Sequence, residues 1–269
     1  MLYLERSGVS DANWGLRSDA ASKFGLQVQP FFKPFMGNGC MARKWDLKVY
    51  LAVASINPPR FYMWNVFDVI VARKLYDPAA PASDYCVHDT HARSARGECY
   101  EPCVVDTEGW PKDGHHSYAN DTHAVGRMMN LSTYVALSAL PSNTTAGLSR
   151  RVHDMLSRVF YHPDTLAGFA GNSFTTAIES SGASCFHWLR ADMGVAEGLE
   201  PVLYEINDLP ETSNSNAKDR AKGKFRVEYR SHRDLFHMLE LDKPTRLARE
   251  ERGKWEHENA GGWRPITRT

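Results

Sequence analysis

Residues 185–208 read CFHWLRADMGVAEGLEPVLYEIND and give the clearest β-hairpin signal in this chain of 269 residues. A strand is predicted around 185–195 and a second over 202–207, because strand-forming residues flank a turn signal. Turn residues at 197–200 separate the two runs. This hairpin predicts a mainly antiparallel sheet.

Side chains alternate along the second of these strands. Val202, Tyr204 and Ile206 are therefore expected to face one way, and Glu205 and Asn207 to face the other. The strand presents a carboxylate and an amide oxygen together on one face.

A tight turn on residues 198–199 would place Asp192 directly opposite Glu205. Their Cβ atoms would be about 4.5–5.5 Å apart, and two carboxylates that close repel by about 3 kcal/mol at an effective dielectric of about 20. A positive group is therefore expected between them. Oxygen ligands from Asp192, Glu205 and Asn207 suit magnesium, which takes the rest of its shell from water and phosphates. On spacing alone, an exposed hairpin with solvated acids is the alternative.

The composition is that of an ordinary globular protein, with 42% hydrophobic and 24% charged residues. The 32 basic and 32 acidic residues give a formal net charge of zero, so no whole-molecule field indicates nucleic acid or an acidic membrane as a partner. No apolar run approaches the roughly 18 residues of a membrane span. A soluble, cytoplasmic protein is expected.

The five cysteines are odd in number and contain no CxxC pair. Neither a disulfide framework nor a zinc site is predicted from them. A reducing compartment is the simplest interpretation.

Residues 45–53 alternate between apolar and polar side chains and predict a half-buried strand. Asp46, Lys48 and Tyr50 share one of its faces.

The fold class predicted is α+β, with a mainly antiparallel sheet flanked by helices. The other predicted elements are strands at 61–64 and 67–72, a long irregular loop at 77–123, helices at about 121–140 and 145–161, and a basic stretch at 218–233.

The hairpin resembles the closing motif of the tubulin tyrosine ligase-like proteins, in which a strand Asp and a later Glu-x-Asn bind magnesium under the ATP phosphates. The matching residues are Cys185, Phe186, Asp192 and, thirteen residues after it, Glu205 within Tyr204-Glu205-Ile206-Asn207, with Pro210 beyond.

Three further stretches resemble the same family in the same order. Residues 44–50, KWDLKVY, are similar to its Lys-Phe-Asp-Leu-Arg-Val-Tyr strand, with 57–58 at its Asp-Pro turn. Residues 28–34 are similar to the hinge that holds adenine, and 261–264 to the terminal Gly-Gly-aromatic. The resemblance runs from about residue 27 to the end. It implies an ATP-grasp domain over 27–269, incomplete at its N-terminal side, after an irregular segment at 1–26.

The resemblance also implies roles for single residues. Gln29 and Phe31 would flank adenine, Asp46 would approach the ribose, and Lys48 would reach phosphate or acyl-phosphate oxygens. Arg73 matches an active-site arginine. Three more cofactor-binding residues come from the match of 88–91 to a His-Leu-Thr-Asn motif: His88, Thr90 and His91.

Two substitutions and one missing segment depart from the family pattern. Lys48 replaces an arginine and keeps the charge but loses the planar fork that grips an oxyanion at two points. His91 replaces an asparagine. The family's Trp-Ile-x-Lys-Pro lysine and Gly-rich phosphate loop have no counterpart, so the phosphates would be gripped from one side and ATP bound weakly.

The function implied is that of an ATP- and magnesium-dependent ligase. It would add glutamate, tyrosine or glycine to a protein such as tubulin through an acyl phosphate, in the cytoplasm, at the cytoskeleton or in a cilium. The alternative is a catalytically weak or inactive tubulin-binding relative, or a truncated product. The basic stretch 218–233 would meet acidic tubulin tails, or would be a solvated helix face.

Overall fold

The chain folds as a mixed α+β structure around one mostly antiparallel sheet. This confirms the coarse fold class predicted from the sequence. The computed structural model describes residues 33–72, 74–81, 84–88, 90, 128–170, 186–208, 224–241 and 249–268.

The described strands are β1 (Trp45–Ile56), β2 (Pro59–Trp64), β3 (Asp68–Val71), β4 (Met128–Asn130), β5 (His187–Ala196), β6 (Glu200–Asp208) and β7 (Trp263–Ile266). The described helices are α1 (Tyr85–His88), α2 (Leu131–Leu137), α3 (Thr144–Phe160), α4 (Pro163–Ala170), α5 (Lys224–Met238) and α6 (Arg249–Glu258). Single 3-10 turns occupy Gly39–Met41 and Glu197–Leu199.

Strand β1 is the centre of the sheet. It pairs with β5 along one edge, and with β3 and then β2 along the opposite edge, in each case antiparallel. Strand β6 extends the sheet beyond β5, β4 extends it beyond β3, and β7 extends it beyond β2. Residues near the start of β1 therefore lie in the interior of the sheet, with β3 on one side and β5 on the other.

The alternation predicted for residues 45–53 is present, but the prediction of a half-buried strand is wrong. Leu47 and Val49 on one face and Lys48 and Tyr50 on the other are all at most 4% exposed. A central strand is covered on both faces, so its polar side chains are buried together with its apolar ones.

One face of the sheet packs against α2 and α3. In α3, Leu148, Val152 and Leu156 recur at helical spacing and are fully buried against the sheet. Complete burial of each such side chain contributes about 1.5–3 kcal/mol. The helix predicted at about 145–161 is confirmed, and Phe160 at its end is buried.

The opposite face packs against α5 over only part of its area. Tyr50, Trp188 and Trp263 form a second apolar cluster there with Leu235 and Met238 of α5. Gly262 lies against the ring of Trp64, where an added Cβ would come within 2.3 Å of a ring carbon. The terminal Gly-Gly-Trp therefore serves to dock β7 onto β2.

One region differs from the element predicted for it, and the C-terminal tail forms elements where none was predicted. Residues 128–130 were expected in a helix but form β4, and Asn130 then caps α2 by accepting a hydrogen bond from the Thr133 amide at 2.8 Å. The tail, which shows little periodicity, contains α6 and β7. Pairing partners far away in the chain decide both cases, and local patterns do not report them.

Cys86 is disulfide-bonded, which the cysteine count did not predict. Disulfide bonds are rare in the cytosol, so this bond is an observation against a reducing compartment.

Among the helices described, none is both long and apolar enough to cross a membrane.

Candidate functional site

Four charged residues lie in one row across four neighbouring strands. Lys48 of β1 is opposite Asp68 of β3 on one side and Asp192 of β5 on the other, and Asp192 is in turn opposite Glu205 of β6. Directly opposite residues in antiparallel strands project to the same face. The row therefore presents three carboxylates and one ammonium on the face that α5 covers only in part.

The predicted pairing of Asp192 with Glu205 is confirmed, but the tight turn on residues 198–199 from which it was predicted is wrong. The observed turn pairs Ala196 with Glu200, and the register then changes by one residue between Asp192 and Met193. Met193 pairs with Leu203, so Tyr204 is an extra residue in β6 and forms a β-bulge. Leu203 and Ile206 pack against the apolar core. The prediction that Tyr204 shares a face with Ile206 is therefore wrong, because the bulge turns Tyr204 towards the charged row.

Asp192 is buried and already has two cationic partners. Its Oδ2 accepts a hydrogen bond from Lys48 Nζ at 3.0 Å. Arg190, two residues earlier in the same strand, donates from Nε to Oδ1 at 2.8 Å and from a terminal nitrogen to Oδ2 at 3.0 Å. Cations of the protein itself therefore balance the charge of Asp192, whereas no positive side chain is described between Asp192 and Glu205.

Asn207 bridges the two carboxylates. Its Nδ2 donates to Asp192 Oδ2 at 3.2 Å and to Glu205 Oε1 at 3.0 Å. Glu205 is exposed to solvent, whereas Asp192 is only 7% exposed. One end of this cluster is therefore open to a ligand from solution.

Burial shifts the acid–base balance of Lys48. Removal from water lowers the pKa of its ammonium group, and the adjacent Asp192 carboxylate opposes that shift. The lysine is 4% exposed. A buried ammonium group interacts strongly with any anion brought beside it, because the effective dielectric there is lower than in water.

Asp46 forms the second polar contact group on this face. The Thr90 hydroxyl donates a hydrogen bond to its Oδ2, and the Tyr204 hydroxyl donates to its Oδ1 at 3.3 Å. Asp46 and Thr90 were both predicted as cofactor-binding residues, and the structure brings them together. Tyr204, which is 38% exposed, closes the group on the solvent side.

His88 does not join these contacts through its ring. The ring lies 3.3 Å from the Ala80 carbonyl oxygen and packs edge-on against Tyr76. Its own carbonyl accepts a hydrogen bond from Lys44 at 2.9 Å. The remaining residues predicted for the site lie outside the described residues: Gln29, Phe31, Arg73 and His91.

Arg190, Asp68 and Tyr204 are in the site although the sequence did not single them out. Arg190 precedes Asp192 by two residues, so strand alternation could have placed both on one face. Asp68 could be identified only from the pairing of β3 with β1, and Tyr204 only from the bulge.

The donor atoms fit a magnesium ion after one local change. A carboxylate has about four lone-pair positions, and Asp192 already accepts four hydrogen bonds, from Lys48, Arg190 and Asn207. A half-turn of the Asn207 amide would remove one of these bonds and present its carbonyl oxygen instead. Asp192, Glu205 and Asn207 would then supply three oxygens. Within the described ranges, no group of three or more His, Cys, Asp and Glu side chains is placed to hold a metal.

No protein-family model matches the chain, and no curated protein matches it. The resemblance to the tubulin tyrosine ligase-like proteins therefore remains a prediction from the motifs alone.

Proposed function

We propose that this protein is an ATP-dependent ligase that attaches an amino acid to a protein, with Asp192, Glu205 and Asn207 holding magnesium against the nucleotide phosphates. The observation that carries the proposal is the register of β5 and β6, which sets Asp192 opposite Glu205 with Asn207 on the same face. The order of the four motifs along the chain supports the same assignment and, with it, an ATP-grasp fold.

The buried cations would take up the charge of the transferred phosphoryl group. Phosphoryl transfer depends mainly on positioning and on neutralising spread negative charge. Lys48 stands in the middle of the charged row. Arg73 is proposed to act beside it, and magnesium, when bound, would neutralise the phosphate oxygens.

Asp46 is proposed to meet the ribose. Both of its oxygens already accept hydrogen bonds, from Thr90 and Tyr204, which fixes the direction of the carboxylate. Because the carboxylate is already held in one orientation, binding the ligand costs less conformational entropy. Gln29 and Phe31 are proposed to hold adenine, with His88 and His91 near Thr90.

Tubulin is the proposed protein substrate, and glutamate, tyrosine or glycine the proposed amino acid. This part of the proposal rests on the motif resemblance alone. It places the protein in the cytoplasm, at the cytoskeleton or in a cilium, and the disulfide bond at Cys86 argues against that location.

A ligation assay tests the function directly. The protein is incubated with tubulin, magnesium, ATP and each radiolabelled amino acid, and the label carried by tubulin is counted. One amino acid is expected to be incorporated, and Glu205→Gln is expected to abolish this. Glu197→Gln is the matched control, because Glu197 lies in the turn of the same hairpin and pairs only with exposed Lys33 among its described contacts. Equal incorporation by wild type and Glu205→Gln would contradict the proposal.

A nonenzymatic tubulin-binding relative is the second candidate. The observation in its favour is that Lys48 and Arg190 already neutralise Asp192 without a metal ion. In that case microtubules would capture the protein, and no amino acid would be incorporated. Salt-sensitive capture would further implicate the basic stretch at 218–233. Within that stretch, Arg230 of α5 is exposed to solvent.

A further inference from the structure

The guanidinium of Arg190 occupies the carboxylate oxygens of Asp192 that a divalent cation would otherwise bind. Two of its nitrogens contact both carboxylate oxygens, at 2.8 and 3.0 Å. Paired contacts between guanidinium and carboxylate are among the strongest hydrogen bonds in proteins. Both residues lie on β5, so the strand itself holds the pair in place.

Lys48 holds Asp192 less firmly than Arg190 does, because it contacts one carboxylate oxygen, at 3.0 Å. It is opposite Asp68 as well as Asp192. Arg190, by contrast, has its described hydrogen bonds to Asp192 only. Among the described residues, removing Arg190 would therefore leave Lys48 as the cationic partner of Asp192.

From this arrangement we propose that Arg190 is a positioning residue that holds Asp192 in place of a divalent cation and makes cation binding depend on the nucleotide. This inference rests on the proposed function. A cation arriving alone meets two carboxylates already balanced by two fixed positive charges. A cation arriving with phosphates brings negative charge, which gives the guanidinium a second anionic partner.

The binding of Mn²⁺ alone tests the inference without any enzymatic assay. Free and bound Mn²⁺ are separated by electron paramagnetic resonance in wild type and in Arg190→Gln. Because couplings between binding sites are commonly about 5–150-fold, we expect Arg190→Gln to bind Mn²⁺ at least about fivefold more tightly than wild type. Adding ATP is expected to tighten Mn²⁺ binding by wild type far more than by Arg190→Gln.

Two further variants separate charge from packing. Arg190→Lys keeps a positive charge and is expected to restore most of the weak, nucleotide-dependent binding. Arg151→Gln is the control, because Arg151 is a half-exposed arginine that pairs with Glu200 at the far end of the hairpin. Thermal unfolding of each variant confirms that the protein measured is folded.

The outcomes distinguish this inference from the proposed function. Equal Mn²⁺ binding by wild type and Arg190→Gln would overturn the role of Arg190 and leave the cation site in place. Absence of Mn²⁺ binding in both, with and without ATP, would overturn the cation site and the role of Arg190 together. Tight binding of Mn²⁺ alone by wild type would also contradict the inference.

Discussion

The two faces of β1 come from the same stretch of chain and are both buried, but one makes apolar contacts and the other makes charged and polar contacts. On one face Leu47, Val49 and Leu51 pack against α3 and are fully buried. On the other, Asp46 and Lys48 are 6% and 4% exposed and contact charged or polar groups. Burial alone therefore does not identify the core of this protein.

The difference lies in what each face loses when a side chain is removed. An apolar face loses contact area and gains a cavity. A charged face that loses one member leaves its partners buried without compensation, which costs more than the lost attraction. The charged face is therefore a poor source of stability and a suitable place for a ligand.

Replacement of Asp192 by Ala should have the largest effect. It leaves Lys48 and Arg190 buried without their shared carboxylate, and breaking a buried pair in this way costs about 3–5 kcal/mol. Urea unfolding monitored by tryptophan fluorescence measures the loss of unfolding free energy.

The triple change Lys48→Met, Arg190→Met and Asp192→Leu is the informative companion to that variant. Replacing a buried carboxylate together with both of its cationic partners by apolar residues is commonly neutral or stabilising. We therefore expect the triple variant to be more stable than Asp192→Ala and unable to bind Mn²⁺. Stability no better than that of Asp192→Ala would show that the charged face does contribute to folding.

Leu148→Ala tests the apolar face. Leu148 is fully buried against the sheet, and such truncations cost about 2–5 kcal/mol. Mn²⁺ binding by the folded protein should not change. Arg150→Ala, at an exposed position of the same helix, is the control and should leave the unfolding free energy nearly unchanged. Loss of Mn²⁺ binding in folded Leu148→Ala would show that the two faces are coupled.

Glu256 provides the smallest and most specific test, because it is a buried acid away from the charged row. It accepts a hydrogen bond from Tyr62 at 2.8 Å and pairs with Arg60 at 3.3 Å. Burial raises its pKa above the ordinary value of 4.5, and Arg60 and Tyr62 oppose that shift. The folded state therefore holds this proton more tightly than the unfolded state does.

The sign of the resulting pH dependence follows from that difference. The contribution of Glu256 to stability is fully present below pH 4.5 and is lost as the pH rises through the raised pKa of the folded state. The unfolding free energy of wild type relative to Glu256→Gln should fall in that window, by at most about 1.4 kcal/mol per pH unit. A difference independent of pH would show that Glu256 is ionised as readily in the folded protein as in the unfolded chain.

The sequence predicts some of this architecture because some features are local. Turn residues between two strand-forming stretches identified the hairpin. The register beside the observed turn would set Asp192 opposite Tyr204, and it is the bulge at Tyr204 that sets Asp192 opposite Glu205. Local pattern likewise predicted the helix at about 145–161, which is observed as α3. These patterns depend on neighbours within a few residues, so they can be deduced without the fold.

Other features depend on partners distant in the chain. The burial of Lys48 follows from β3 and β5 lying on both sides of β1, and α6 and β7 are formed from a tail with little periodicity. The bulge at Tyr204 adds one residue to β6 and reverses the face of that side chain. Each of these requires knowledge of the pairing, which local patterns do not contain.

Calorimetric titration of ATP in the presence and absence of magnesium tests the central claim most directly. If Asp192, Glu205 and Asn207 hold magnesium against the phosphates, wild type should bind ATP more tightly with magnesium than without it. Since loss of outer-shell partners alone costs about 10–100-fold in metal affinity, Glu205→Gln should lose that gain, whereas Glu197→Gln should keep it. Equal ATP affinity in wild type with and without magnesium would contradict the account.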